Sequence, residues 1–196
     1  MSNKLATMGT VADEAARLIK EQEGELPSAR ELSKATGFSV GTIYSHFGSL
    51  RGIIGYIVYR RQCAAIERLE RILEAHDPKA SVPLLLDEII DSCFHTLTSF
   101  NPKLARKVIK IAMDEADRAS DLDRVSDRLV PFIALAMTRD ETGTFRAMPD
   151  DEILVSLRGM IAILRSPLLE NSPFFATPGH RALAKNYLAR MFLKQA

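Results

Sequence analysis

A chain of 196 residues is long enough to bury the core of one or two domains, and 46% hydrophobic with 26% charged residues is an ordinary balance for a soluble globular protein. No long uncharged apolar run offers a membrane span, MSNKLATMGT lacks the apolar core of a secretion signal, and Cys63 and Cys93 form no CxxC pair; a reducing, cytoplasmic location with two free thiols is expected. The net charge of +1 is small for a nucleic-acid binder, but it averages over a gradient. Leu26–Arg61 holds Arg30, Lys34, Arg51, Arg60 and Arg61 against Glu31 alone, while acid collects at Asp114, Glu115, Asp117, Asp121 and Asp123 and again at Asp150, Asp151 and Glu152. Phosphates respond to local charge, over about 8 Å at physiological salt. The acidic runs read as solvated helix faces.

In chain order, a first helix is expected from Met8 or Thr10 to about Gln22, with Met8, Val11, Ala12, Ala15, Leu18 and Ile19 on its apolar stripe. Gly24 and Pro27 stop it. SARELSKATGFSVGTIYSHF, residues 28–47, then reads as two short helices around a tight turn. Ser28 caps the first, with Glu31 at the capping-box spacing, and Leu32 and Ala35 share its inner face. Gly37 ends it, since a left-handed residue there costs glycine almost nothing. Phe38 plugs the turn and Ser39 caps Val40–Phe47, whose Ile43 and Phe47 face inward while Val40, Thr42, Tyr44, Ser45 and His46 point elsewhere. A helix this short does not hold itself together in water, so its neighbours must present it, as a helix-turn-helix presents its recognition helix.

A long helix follows from Leu50 to about Ala75, and Asp77-Pro78 ends it. Val82 to Phe100 is apolar around most of its circumference and is expected at the centre of a bundle. Asn101-Pro102 opens a helix carrying Leu104, Val108, Ile109, Ala112, Met113 and Ala116. Another begins at a cap on Ser120 or Asp121, with Pro131 kinking it or cutting it short. Helices from Asp150 to about Ser166 and from Arg181 to Lys194 complete the chain, separated by a loop in which Phe174 and Phe175 tuck onto the body. No alternating strand pattern, repeat or low-complexity tract is present. The expected fold is all-α: an N-terminal three-helix helix-turn-helix domain over residues 1–55 and a helical bundle over 56–196, about nine helices in all.

Catalytic chemistry finds little support. His46, His76, His95 and His180 are scattered, with no HExxH, and Cys93 and His95 diverge by about 200° on a helix. No GxSxG, phosphate loop or paired-carboxylate cleft stands out, and Asp114, Glu115 and Asp117 read as solvated rather than cation-binding. No catalytic residue, metal or cofactor is expected, and the chain is not expected to be an enzyme.

The turn resembles the DNA-binding domain of the TetR family of bacterial transcriptional regulators, where Ala-Gly-Val-Ser is followed by Gly-Thr-Leu/Ile-Tyr, one free position and Tyr/His-Phe. Here stand Thr36-Gly37-Phe38-Ser39, Gly41-Thr42-Ile43-Tyr44, then Ser45, His46 and Phe47. The family's Ser-Lys-Glu is replaced by Ser49-Leu50-Arg51, so its phosphate-contacting lysine is lost at Leu50; either Arg51 takes over that contact from the next position or the contact is not made. The resemblance, with the residue chemistry, implies DNA contacts from Arg30, Ser39, Val40, Gly41, Thr42, Tyr44, Ser45, His46 and Arg51. It further implies a homodimer on a palindromic double-stranded operator, released by a small effector. Apolar residues of the body line a cavity or fill a solid core; the residues leave both open, and the resemblance favours a largely apolar pocket at Ile66, Leu69, Phe94, Thr96, Met113, Phe132 and Met160. It also places a dimer interface on the last two helices, at Leu157, Ile161, Leu164, Leu183, Tyr187, Leu188 and Met191. Two other readings stand beside it: an architectural or partner-recruiting DNA-binding dimer without an effector, and an all-α ligand-binding protein whose helix-turn-helix is structural.

Overall fold

The computed structural model describes residues 2–22, 25–114 and 124–195. Among these residues the protein is all-α, with nine helices: α1 (Ser2–Glu21), α2 (Ala29–Thr36), α3 (Val40–Phe47), α4 (Leu50–Ala75), α5 (Val82–Thr98), α6 (Pro102–Asp114), α7 (Val130–Arg139), α8 (Asp150–Leu169) and α9 (Pro178–Phe192). The β structure within them is an isolated antiparallel bridge between Phe145 and Leu193. No helix among the described residues is long and apolar enough to cross a membrane. The expected cap at Ser120 or Asp121 lies outside the described residues.

Two compact units divide the chain. One comprises Met1–Arg61 with the described part of Lys107–Asp121; the other comprises Gln62–Arg106 and the described part of Leu122–Ala196. In the first unit α1 packs on α2 and α3, and α2 on α3. Val11, Ala12, Ala15 and Ile19 of α1, Leu32 of α2, Ile43 and Phe47 of α3 and Ile53, Ile54 and Ile57 of α4 are buried. Each fully buried isoleucine or phenylalanine contributes about 1.5–3 kcal/mol, so this small core depends on all of its helices together. Two expectations are corrected here. Ala35 is exposed, leaving Leu32 alone as the inward residue of α2. The first helix starts at Ser2, not near Met8 or Thr10, because no proline interrupts the opening residues and the apolar stripe marks only the part that packs.

The second unit closes around Ile90, Phe94, Ile153, Leu157, Leu164 and Leu188, with α9 packed on α5 and α8, and α7 on α8. Ion pairs Asp91–Arg181 and Asp87–Lys185 join α5 to α9 along the edge of that packing. Contrary to expectation, α5 is not buried all round. Leu84 is 68% exposed and shares a stripe at helical spacing with the exposed Glu88, Asp91 and His95, which mark a solvent face. The final helix opens at Pro178 rather than Arg181, with Thr177 as its cap; proline suits a first turn because its missing N–H has no intrahelical partner to lose.

Helix α8 also outruns its expected end, continuing through Pro167 to Leu169. Proline at 167 cannot donate to the carbonyl of Ile163, four residues back. That carbonyl lies 3.1 Å from Nε2 of His180, while Nδ1 of the same ring accepts the Ala176 backbone N–H at 3.1 Å. The Nδ1 contact fixes the neutral tautomer, so Nε2–H donates to the orphaned oxygen. His180 is fully buried, with its ring edge-on to Phe94 and beside Phe174 and Phe175. Phe174 and Phe175 thus anchor their loop through a histidine that sequence patterning left unassigned.

Candidate nucleic-acid interface

The turn between α2 and α3 is built almost wholly from local chemistry. Ser28 accepts the Glu31 backbone N–H at 3.3 Å, and the Glu31 carboxylate accepts the Ser28 backbone N–H at 2.8 Å. These bonds, led by the Ser28 hydroxyl and joined by the Gln22 amide, hold the Glu31 carboxyl below the usual range. Gly37 takes φ 75° and returns its N–H to Ser33 O, which turns the chain without the steric cost of a Cβ. Phe38 N–H then bonds the Thr36 hydroxyl at 3.3 Å. The Ser39 hydroxyl accepts the Thr42 N–H at 3.0 Å and lies 2.9 Å from the Thr42 hydroxyl.

Helix α3 is therefore capped, seated by Ile43 and Phe47, and free along its opposite side. Phe47 is pinned further by an edge-on contact with Tyr56, ring centroids 5.6 Å apart. Gly41, Tyr44 and Ser45 are exposed, and Val40, Thr42 and His46 are half-buried beside them. The Tyr44 side chain is 39% exposed, a large amphipathic group standing out from a short helix. Ser39, at the cap, and Arg30, on α2, are exposed too. Lys34, in the last turn of α2, adds an exposed cation that the motif did not single out; its place in the basic stretch was the available signal. Arg51 is exposed in the first turn of α4, where its guanidinium donates to Asp114 on α6 at 3.1 Å.

The structure separates the pocket residues named from sequence. Leu69 and Met160 border a small apolar cavity of about 30 Å³, together with Leu86, Phe145, Leu157 and Phe192. Ile66 and Phe94 are buried in the second unit's core, and the Thr96 hydroxyl donates to Ser92 O and meets Arg68. Phe132 borders a different, smaller pocket with Leu73, Pro78 and Leu135. Met113 is 45% exposed and belongs to the first unit. Burial pushes the Cys93 thiol up to about 12, so it stays protonated at neutral pH.

The interface residues divide as well. Leu157, Leu164 and Leu188 are buried within a single chain, so they hold its own core and have no surface left to offer. Leu183 and Tyr187 are 47% and 45% exposed on α9, Val155 is exposed on α8, and Ile161 and Met191 are half-buried. Among the described residues no group of three or more His, Cys, Asp or Glu is placed to hold a metal ion.

Solved structures share this arrangement of a helix-turn-helix followed by a helical bundle. This is the fold of TetR-family transcriptional regulators. A protein of Mesorhizobium loti assigned to that family aligns over 96% of this chain and 94% of its own, with a TM-score of 0.62 at 14% identity. The TetR-family regulator PfmR of Thermus thermophilus aligns over 92% and 96%, with a TM-score of 0.52 at 20% identity. The multidrug-binding protein EbrR, solved with imidazole, aligns over 96% and 90%, with a TM-score of 0.54 at 19% identity. No protein-family model matches the sequence, and no curated protein matches it significantly.

Proposed function

We propose that the chain is a TetR-family transcriptional regulator that binds a palindromic double-stranded operator as a homodimer. The observation that carries this reading is the free face of α3: a capped helix with Ile43 and Phe47 buried beneath it and Gly41, Thr42, Tyr44, Ser45 and His46 on or beside its open side. Hydroxyls, a phenol and an imidazole suit phosphate oxygens and base edges, and Gly41 lets the backbone approach closely. Arg30, Lys34 and Arg51 supply the sequence-independent attraction. The test is selection of bound duplexes from a random pool with the full chain. A dyad-symmetric sequence whose affinity falls steeply with salt is the expected product. An unenriched pool with no salt-dependent binding would leave the turn a structural element only.

Regulation follows one of two courses. In the first, a small, largely apolar effector enters the second unit and lowers DNA affinity, as the apolar lining of its cavity supports. In the second, the dimer has no effector and acts by occupying DNA or recruiting a partner. This cavity, at about 30 Å³, is far below the roughly 300–1,000 Å³ of ordinary ligand sites, so an effector seated there would have to widen it. Thermal-shift screening of apolar small molecules separates them: a stabilising compound that also weakens duplex binding establishes the first.

A further inference from the structure

We propose that Asp114 is an intramolecular competitor for the DNA phosphate at Arg51, so that the last described turn of α6 sets how available that arginine is. The inference rests on the reading of Arg51 as a phosphate contact. Its own observation is the ion pair between Arg51, in the first turn of α4, and Asp114, at the end of α6, with N and O 3.1 Å apart. These side chains are 63 positions apart in sequence, and both belong to the first unit. The same unit holds a second pair on α6, Lys107–Glu25, at 3.7 Å.

A guanidinium has five donors, so pairing with one carboxylate does not exhaust it. Competition acts through charge. A phosphate seated on Arg51 would lie within a Debye length, about 8 Å, of the Asp114 carboxylate, and like charges at that range repel. A phosphate must therefore displace Asp114 from Arg51 or be held there less tightly, and without the arginine nothing draws a phosphate to that spot. Both side chains are more than half exposed, so water and salt moderate the pair and the effect is modest. Such a contact is suited to adjustment: turning the end of α6 away from Arg51 frees the cation without altering α3.

The test is a double-mutant cycle on the full chain, using a fluorescein-labelled mixed-sequence duplex and anisotropy at low salt, where the sequence-independent term is read directly. Asp114→Asn is expected to tighten binding roughly two- to fivefold, the range of an exposed ion pair. Arg51→Ala is expected to weaken it, and Asp114→Asn added to Arg51→Ala is expected to bring little further gain. Glu25→Gln is the control, since it removes one negative charge from the same unit without touching Arg51. If Asp114→Asn brings no gain, or the same gain with Ala at 51, or no more than Glu25→Gln, the competition is overturned while DNA binding stands. If Arg51→Ala binds like the parent, Arg51 is no contact and the competition falls with it. Absence of any duplex binding removes the parent reading and this inference together.

Discussion

Tyr44 and His46 are placed where a residue-by-residue test is cleanest, because neither lies among the buried residues that seat α3. Tyr44→Phe and His46→Ala are each expected to weaken binding to the selected duplex by about 1 kcal/mol, the worth of one hydrogen bond. Melting temperatures should stay near the parent's, and parental affinity in both variants would discard the docking of α3. Glu31 gives a different signature. Its carboxyl is depressed in the folded state by bonds to Ser28 and Gln22, so it stabilises the fold above its unfolded value. That contribution is lost as pH falls below the ordinary glutamate range, about 4.3, and through the lowered folded value. Thermal melts against pH should therefore show Glu31→Gln less stable than the parent at neutral pH, with the gap closing in acid. A gap that is constant with pH would mean the carboxylate's charge does not act at this cap.

Two glycines show how the same residue type serves opposite ends within neighbouring elements. A Cβ on Gly52 would lie 2.1 Å from the backbone oxygen of Phe47, an overlap no side-chain adjustment relieves. Gly52→Ala should cost about 1–3 kcal/mol or abolish the fold of the first unit, read by chemical denaturation. A Cβ on Gly41 meets only the Ser39 hydroxyl at 3.7 Å, so Gly41→Ala should leave stability unchanged or raise it by up to ~1 kcal/mol. In the proposed reading the same change crowds the DNA-facing side and lowers affinity. A Gly52→Ala protein as stable as the parent would show that α3 and α4 do not approach this closely. The helix-turn-helix was legible in sequence because its signals are local: a capping box, a left-handed glycine and two inward residues one turn apart. What escaped sequence reading was set by tertiary partners. Pro167 reads as a stop, yet a histidine 13 positions on takes the carbonyl that proline orphans. The α5 pattern reads as apolar around most of its circumference, yet Leu84 stands exposed on the side that burial leaves out. Asp114 reads as a solvated acid, and only the folded chain shows it facing Arg51.

For the molecule as a whole, the separation of core from surface on α8 and α9 decides how a dimer can be tested. Deleting α9 after Pro178 removes Ala184, Leu188 and Phe192 from the chain's own core, so loss of the dimer in that truncation would report unfolding instead. Charges on the exposed side are the sharper probe. Leu183→Glu with Tyr187→Glu should convert a dimer to a folded monomer in sedimentation, with helix content preserved, because each introduces an ion where an interface would exclude water. A dimer that survives both substitutions uses another surface. A monomer would also bind the selected duplex more weakly, since one half-site then acts alone.

The bond from His180 to Ile163 O puts a single side-chain proton in a place that bulk solvent does not reach. An imidazole N–H on an exposed ring exchanges too fast to observe, whereas this one should persist as an isolated, slowly exchanging nitrogen-attached resonance, shifted by the surrounding rings of Phe94, Phe174 and Phe175. Its lifetime would measure how often the corner between α8 and α9 opens. An exchange clock thus sits in the first turn of the helix on which the proposed dimer depends, and it can be read without labelling the interface.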